Sequence, residues 1–201
     1  MLWNEAYDRD QRKPLVAIFG DFYVRDNDVM NQDLVRDIEE AGGDVLITPY
    51  NDYTKLNIEN IFRRAVERGE RVETGFNRII LNIVKFMDDR FYRNFKSILG
   101  PAPEIRPKEL EKRLEEFRID LLHSGESYDN LLKIFYILEN YPEVSLFVQT
   151  NPSFCCPALV TEAMTRRIKE LTGVPIVTLT YDGTSDRMND AIVPYIAMAH
   201  S

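Results

Sequence analysis

Cysteine is nearly absent from this chain: two residues in 201, Cys155 and Cys156, adjacent in "TNPSFCCPAL". Neighbouring cysteines close no long loop, and there is no third to pair with, so no disulfide framework stabilises the fold and a reducing cytoplasm is the expected setting. Histidine is equally scarce. His123 and His200 stand alone and supply no second Cys/His pair, so a structural zinc site is not expected. Basic residues are in deficit, with a net charge of −8, which argues against a non-specific nucleic-acid surface. Arg63-Arg64 and Arg166-Arg167 sit among acids and read as solvated helix faces. No apolar run approaches the roughly 20 residues of a membrane span. The opening "MLWNEAYDRDQRKP" lacks the apolar core of a secretory signal. Neither G-x-x-x-x-G-K-[ST] nor G-x-G-x-x-G occurs, so no phosphate-cradling loop is claimed.

What is present has an α/β rhythm. "PLVAIFGDF", residues 14–22, is a continuous apolar run suited to a parallel strand buried on both faces. A polar loop follows, then Val29, Leu34, Val35, Ile38 and Ala41 at near-helical spacing, with Asn27 or Asp28 as cap and Gly42-Gly43 as stop. "DVLITPY", residues 44–50, reads as a second strand. From about Ile58 to Leu122 the pattern is helical, and Gly69, Gly75 and "GPAPEIRP" divide it into at least three helices. The α/β rhythm resumes with a helix in "NLLKIFYILENYP" and a strand in "EVSLFVQT", residues 143–150. After the cysteines come a helix from about Ala158 to Leu171, the strand "VPIVTLTYDG" and a partly helical "NDAIVPYIAMA". The expected fold is a Rossmann-like or flavodoxin-like α/β domain, residues 14–201. It has about four parallel strands, an N-terminal arm at 1–13 and a helical insertion at about 55–125.

Open parallel sheets bind ligands beyond the carboxyl ends of their strands. Here those ends carry "GDFYVRDND", "PYNDY", "NPSFCCP" and "YDGTSD". The cysteines also precede a helix, whose free amides and dipole favour negative charge, and Pro157 suits the first helical turn. The pair has three readings: buried apolar filler, a redox pair, or ligands. A thioredoxin-type motif needs C-x-x-C, and a cysteine nucleophile needs a histidine that only His123 could supply. Asp21, Asp26, Asp28 and Asp182 are explained either as cation ligands or as loop caps, with caps favoured. Tyr23, Tyr50, Tyr53 and Tyr181 are expected to line the same rim, for packing or for stacking on a ligand.

Taken in order, "GDFYVRDNDVMN", "SGESYDNLLKI", "TNPSFCCPALVTEAM" and "VPIVTLTYDGTSDRMNDAI" resemble the C-terminal part of the 2-hydroxyacyl-CoA dehydratase D-component family. The likeness is to the end of the long CoA-substrate-specific enzyme activases, also called acyl-CoA dehydratase activase-related proteins, and spans most of residues 14–196. In that family a strand leads into an Asn-x-x-Pro-Phe-Gly-Cys-Met-Pro-like turn, a helix follows, and a later strand ends in Asp-Gly. Cys155 stands in the place of the family cysteine, Cys156 in that of Met and Pro157 in that of Pro, and Asp182-Gly183 matches the later pair. The resemblance implies a [4Fe-4S] or double-cubane iron–sulfur cluster with Cys155 as thiolate ligand and Cys156 as a second candidate. It also implies low-potential electron transfer to an acyl-CoA substrate, with a cysteine-bearing α/β partner domain and an ATP-dependent activase domain as partners. The remaining cluster cysteines and the ATPase domains of the family pattern are missing from this chain. The alternative is a non-catalytic interaction or CoA-ester-binding domain with structural cysteines and no cluster.

Overall fold

Val16, Ala17, Ile18 and Phe19 are all fully buried, as a strand covered on both faces requires. A computed structural model describes residues 13–48, 50–99, 112–114, 116–117, 126–184 and 186–199. In it these residues form β1, Leu15–Gly20, followed by β2, Asp44–Ile47, β3, Val144–Pro152, and β4, Ile176–Tyr181. The four strands make one all-parallel sheet in the order β2-β1-β3-β4, an α/β architecture of the Rossmann or flavodoxin-like kind. The chain runs outward from β1 to β2, then returns to the other side of β1 as β3. The order therefore reverses between β1 and β3, the switch point at which such sheets place ligands.

The helices are α1, Phe22–Arg25; α2, Leu34–Glu40; α3, Tyr50–Glu67; α4, Arg71–Leu99; α5, Glu126–Asn140; α6, Cys156–Thr172; and α7, Val193–Ala199. A 3-10 turn, Met188–Ile192, precedes α7. The described residues belong to two compact units. One lies within Met1–Leu46, Glu143–Ser153 and Ile168–Ser201, the other within Ile47–Pro142 and Phe154–Arg167.

The first unit holds the sheet. On one face Val16, Ile18, Leu146, Val148, Val177, Leu179 and Tyr181 form a core with Leu34 and Ile38 of α2 and with Ile192 and Ile196. Burying each such aliphatic chain contributes roughly 1.5–3 kcal/mol. The opposite face carries Phe19 and Phe147, whose rings meet edge to face at 6.0 Å.

Several element bounds differ from those the sequence suggests. β1 stops at Gly20 because Asp21 caps α1, its Oδ1 accepting from Val24 N–H at 2.9 Å. Asn27 and Asp28 cap no helix. Asn27 Oδ1 accepts from the N–H groups of Val29 and Met30 in a local turn, and Asn31 Oδ1 receives the Leu34 N–H at the start of α2. Val29, expected on a helix, precedes α2 and is exposed. β2 ends at Ile47 and α3 begins at Tyr50, so helix starts well before Ile58. Residues 100–111 and 118–125, with His123, lie outside the described residues, as do the arm at 1–12 and His200.

The second unit contains α3 and α4 as an antiparallel pair. Lys55 Nζ meets Asp88 Oδ2 at 2.6 Å, Arg78 lies over Phe62, and Lys85 lies 3.8 Å from Glu59. Asn60 of α3 donates to Asp129 Oδ1 of α5 at 3.1 Å. Arg63 and Arg64 are half-buried here rather than solvated, whereas Arg166 and Arg167 are exposed as expected.

Gly20 shows why β1 ends where it does. Its φ is +116°, and a Cβ there would sit 2.2 Å from the Thr150 carbonyl oxygen of β3. That oxygen accepts the Asp21 N–H at 2.8 Å, so the backbone turns hard against β3. Gly20→Ala is expected to destabilise the protein by about 3 kcal/mol or more, combining strain with displacement of β3. Gly69→Ala, also at positive φ but in open space, should cost only about 1 kcal/mol. Urea denaturation of both variants measures the difference, and equal losses would contradict the close approach.

Candidate functional site

Strand β3 delivers the cysteines. It is hydrogen-bonded to β1 along one edge and to β4 along the other, and is buried from Leu146 to Asn151. Beyond Pro152 the chain is still held, because Ser153 N–H donates to the Tyr181 carbonyl at 3.2 Å. Phe154 then takes φ +65°, the left-handed region, with its ring 92% exposed. A bulky residue in that conformation with nothing packed on its side chain is an uncommon, strained arrangement. It reverses the chain into α6. The Cys155 carbonyl accepts the Leu159 N–H at 3.1 Å, Cys156 is the first helical residue, and Pro157 falls in the first turn as expected.

Cys155 is half-buried and Cys156 is exposed, and both are free thiols. The Cys156 Sγ lies 4.0 Å from the Phe154 carbonyl oxygen, at the outer limit of a weak contact. Neither is enclosed apolar filler. They sit at the head of a 17-residue helix whose terminal amides point toward the turn.

Three of the four acids at the strand ends have side-chain tasks of their own, Asp21, Asp26 and Asp182. Asp21 caps α1, and Asp26 receives Arg25 through Nε at 2.8 Å and a terminal nitrogen at 3.0 Å. The Asp28 carbonyl accepts the Asp33 N–H. Asp182 Oδ1 accepts the Thr184 N–H, and hydrogen bonds from Thr184, side chain first and then backbone, hold its carboxyl below the usual aspartate range. Among the described residues no group of three His, Cys, Asp or Glu side chains could hold a metal ion.

Tyr23 is exposed, and the side chains of Tyr50 and Tyr53 lie outside the described residues. Tyr181 does not line the rim. It is buried in the core, its hydroxyl donating to Asn189 Oδ1 at 2.8 Å.

Asn189 is the residue that sequence reasoning missed. It is 1% exposed, and its Nδ2 lies within hydrogen-bonding distance of the carbonyls of Asn31 and Gln32 and of Asp37 Oδ2, at 2.7–3.0 Å. Gln32 reinforces the tie by donating to the Asp186 carbonyl and accepting from Met188 N–H. Gln32 and Asp33 both take left-handed backbone angles to allow this. The segment after β1 and the segment after β4 are thus joined, although β3 lies between those strands. Arg25, 2% exposed and stacked 5.1 Å from the Phe22 ring centroid, is a second buried polar residue that the sequence disguised as loop.

Beside the site-bearing end of β3 runs a polar row. Gln149 is opposite Thr178 and Asn151 opposite Thr180, and Asn151 Nδ2 donates to Thr180 Oγ1 at 2.9 Å. Gln149 is fully buried, with neither amide atom partnered among the described residues.

Comparison with family models, with curated proteins and with solved structures returns no match. The site is therefore read from its own geometry. Of the four loops at the carboxyl edge, those after β1 and β4 are committed to each other through Asn189 and Gln32. The turn after β3 instead presents accessible, chemically reactive groups.

The buried Tyr181 hydroxyl supplies a pH test of this arrangement. Burial, and then the negative charge of Asp37, push its ionisation above the usual tyrosine range. The folded value lies above the unfolded value of about 10. The contribution is therefore fully present below that pH and is lost as pH rises through the folded value. In an alkaline titration followed by tyrosinate absorbance, Tyr181 should stay protonated until the protein unfolds. Tyr181→Phe should remove one tyrosine from that late step and cost about 1–2 kcal/mol by stranding Asn189 Oδ1. A normal titration of all tyrosines in the folded protein would contradict the buried tie.

Proposed function

We propose that this chain is a cluster-contributing domain of a 2-hydroxyacyl-CoA dehydratase or activase type of system, with Cys155 as the principal thiolate ligand and Cys156 as a second. The observation that carries the reading is the accessibility of two adjacent thiols on a turn held at the carboxyl end of a central parallel strand. Phe154 adds to it. It stands where the family turn has glycine, and it adopts the left-handed backbone that glycine takes at little cost.

The donor set fits a share of a cluster. A [4Fe-4S] centre takes four thiolates, and the chain holds two cysteines. The remaining ligands belong to a cysteine-bearing α/β partner domain, and the electrons to an ATP-dependent activase domain. When bound, the cluster supplies low-potential electron transfer for acyl-CoA dehydration or reduction. This chain's part is to present its two thiols at the start of α6. Ser153 and Tyr181 anchor the approach, and the first turn of α6 sets the direction in which the two side chains leave the backbone. The alternative of structural cysteines is disfavoured by their exposure.

Anaerobic reconstitution with iron and sulfide tests the proposal. Cluster absorbance is expected with a cysteine-bearing partner domain of this class and not with the chain alone. Cys155→Ala should abolish it, and Cys156→Ala should weaken it. Absence of a cluster in both preparations, together with an unaltered complete system carrying Cys155→Ala, would sink the reading.

A further inference from the structure

Gln149 interrupts the most deeply buried strand of the sheet. Leu146, Phe147 and Val148 of β3 are apolar, and the next residue is a carboxamide that is 0% exposed. The pleat decides the face on which it lies. Leu146 and Val148 belong to the core on one side, so Phe147, Gln149 and Asn151 lie on the other. Register supplies their neighbours: Phe19 of β1 and Thr178 of β4 flank Gln149, and Thr180 flanks Asn151. All six belong to the unit that holds the sheet.

Elsewhere in this unit buried polar side chains are partnered. Thr150 donates to the Phe19 carbonyl at 3.3 Å, and Asn189 is tied through both its amide oxygen and its nitrogen. On this face Asn151 Nδ2 reaches Thr180. Gln149 Nε2, Gln149 Oε1, Thr178 Oγ1 and Asn151 Oδ1, all buried, make no hydrogen bond among the described residues. Each such atom costs its desolvation without return, so their concentration on two adjacent strands points to a bound molecule that meets them.

Placement and chemistry define that molecule. Phe19 and Gln149 stand at the β1–β3 boundary, where the strand order reverses and such sheets place ligands. β4 is the last strand in the order, and Thr178 and Thr180 on it are half-buried, which leaves the row reachable from the sheet edge. Neighbouring strands lie about 4.8 Å apart and alternate residues about 6.6 Å apart, so the unpartnered groups span little more than one ring. β1, β3 and β4 contain no charged residue, which favours a neutral guest. A carboxamide sets N–H and C=O side by side, and its complement is another amide held cis, as in a lactam ring. The paired rings of Phe19 and Phe147 on the same face suit a planar one.

We infer that this face binds a small, neutral, planar cyclic amide. The Gln149 carboxamide pairs its N–H and C=O, and Thr178 and Asn151 meet its remaining polar atoms. The cluster reading is separate, since it rests on the two cysteines. Nuclear magnetic resonance of the isotope-labelled full chain tests the inference, with 2-pyridone and uracil as probes and their N-methylated forms as controls that keep the ring and lose the N–H. The Gln149 side-chain amide resonances are expected to shift saturably with at least one probe. The methylated controls should bind about tenfold more weakly or not at all, because they leave a buried acceptor unmet. Gln149→Leu should abolish binding and yet melt no lower than the parent, since it removes two unpartnered atoms and keeps the bulk. A purely structural glutamine would do the reverse. Resonances unmoved by both probes overturn the inference, as they would if water alone met the row. So do controls that bind as well as the probes, or a Gln149→Leu variant that still binds or that melts well below the parent. If Gln149→Leu does not fold, Thr178→Val decides: binding weakened severalfold supports the site, and unchanged binding overturns it.

Discussion

The pairing of β3 on both of its edges is the constraint on which the rest depends. Its carbonyls and amides are shared between β1 and β4, and side chains on both of its faces are buried, so its register cannot slip without turning Leu146 and Val148 out of the core. Gly20 lets β1 turn away against the Thr150 backbone, and Ser153 keeps the chain pinned to β4 beyond the last strand residue. These contacts hold the chain as far as Ser153, the last residue of this segment within the unit that contains the sheet.

Around that strand the molecule divides its polar groups between two tasks. Asn189, Asn31, Gln32 and Asp37 close one side of the sheet by joining segments that follow β1 and β4. Their bonds are to groups of this same unit, which makes them structural. Cys155, Cys156 and the exposed Phe154 have almost no internal partners, which makes them available. Separating fully satisfied polar networks from unsatisfied accessible groups distinguishes scaffold from site without appeal to motifs.

The strands were legible because "LVAIFG" and "VSLFVQT" are continuous apolar runs that only a doubly buried strand explains. The position of the cysteine turn followed from them. Asn189 was illegible because its partners lie more than 150 residues away in sequence, and an asparagine in a polar segment resembles any loop residue. Tyr181 was misplaced at the rim because alternation sets its face but does not reveal that its hydroxyl meets Asn189, eight residues further on. Phe22 and Tyr50 were assigned to strands as the ends of apolar runs, yet a side-chain cap at Asp21 and a helix entered at Tyr50 end those strands earlier.

The account holds that the chain offers a thiol positioned for sharing and leaves the remaining ligands to another domain. The most direct measurement is alkylation of Cys155 with iodoacetamide in the assembled system, read by peptide mass spectrometry before and after cluster loading. The account predicts rapid modification without iron and sulfide and protection once the cluster is in place, with the same thiol still reactive when the chain is treated alone. Equal modification of Cys155 in the loaded and unloaded assemblies would contradict it.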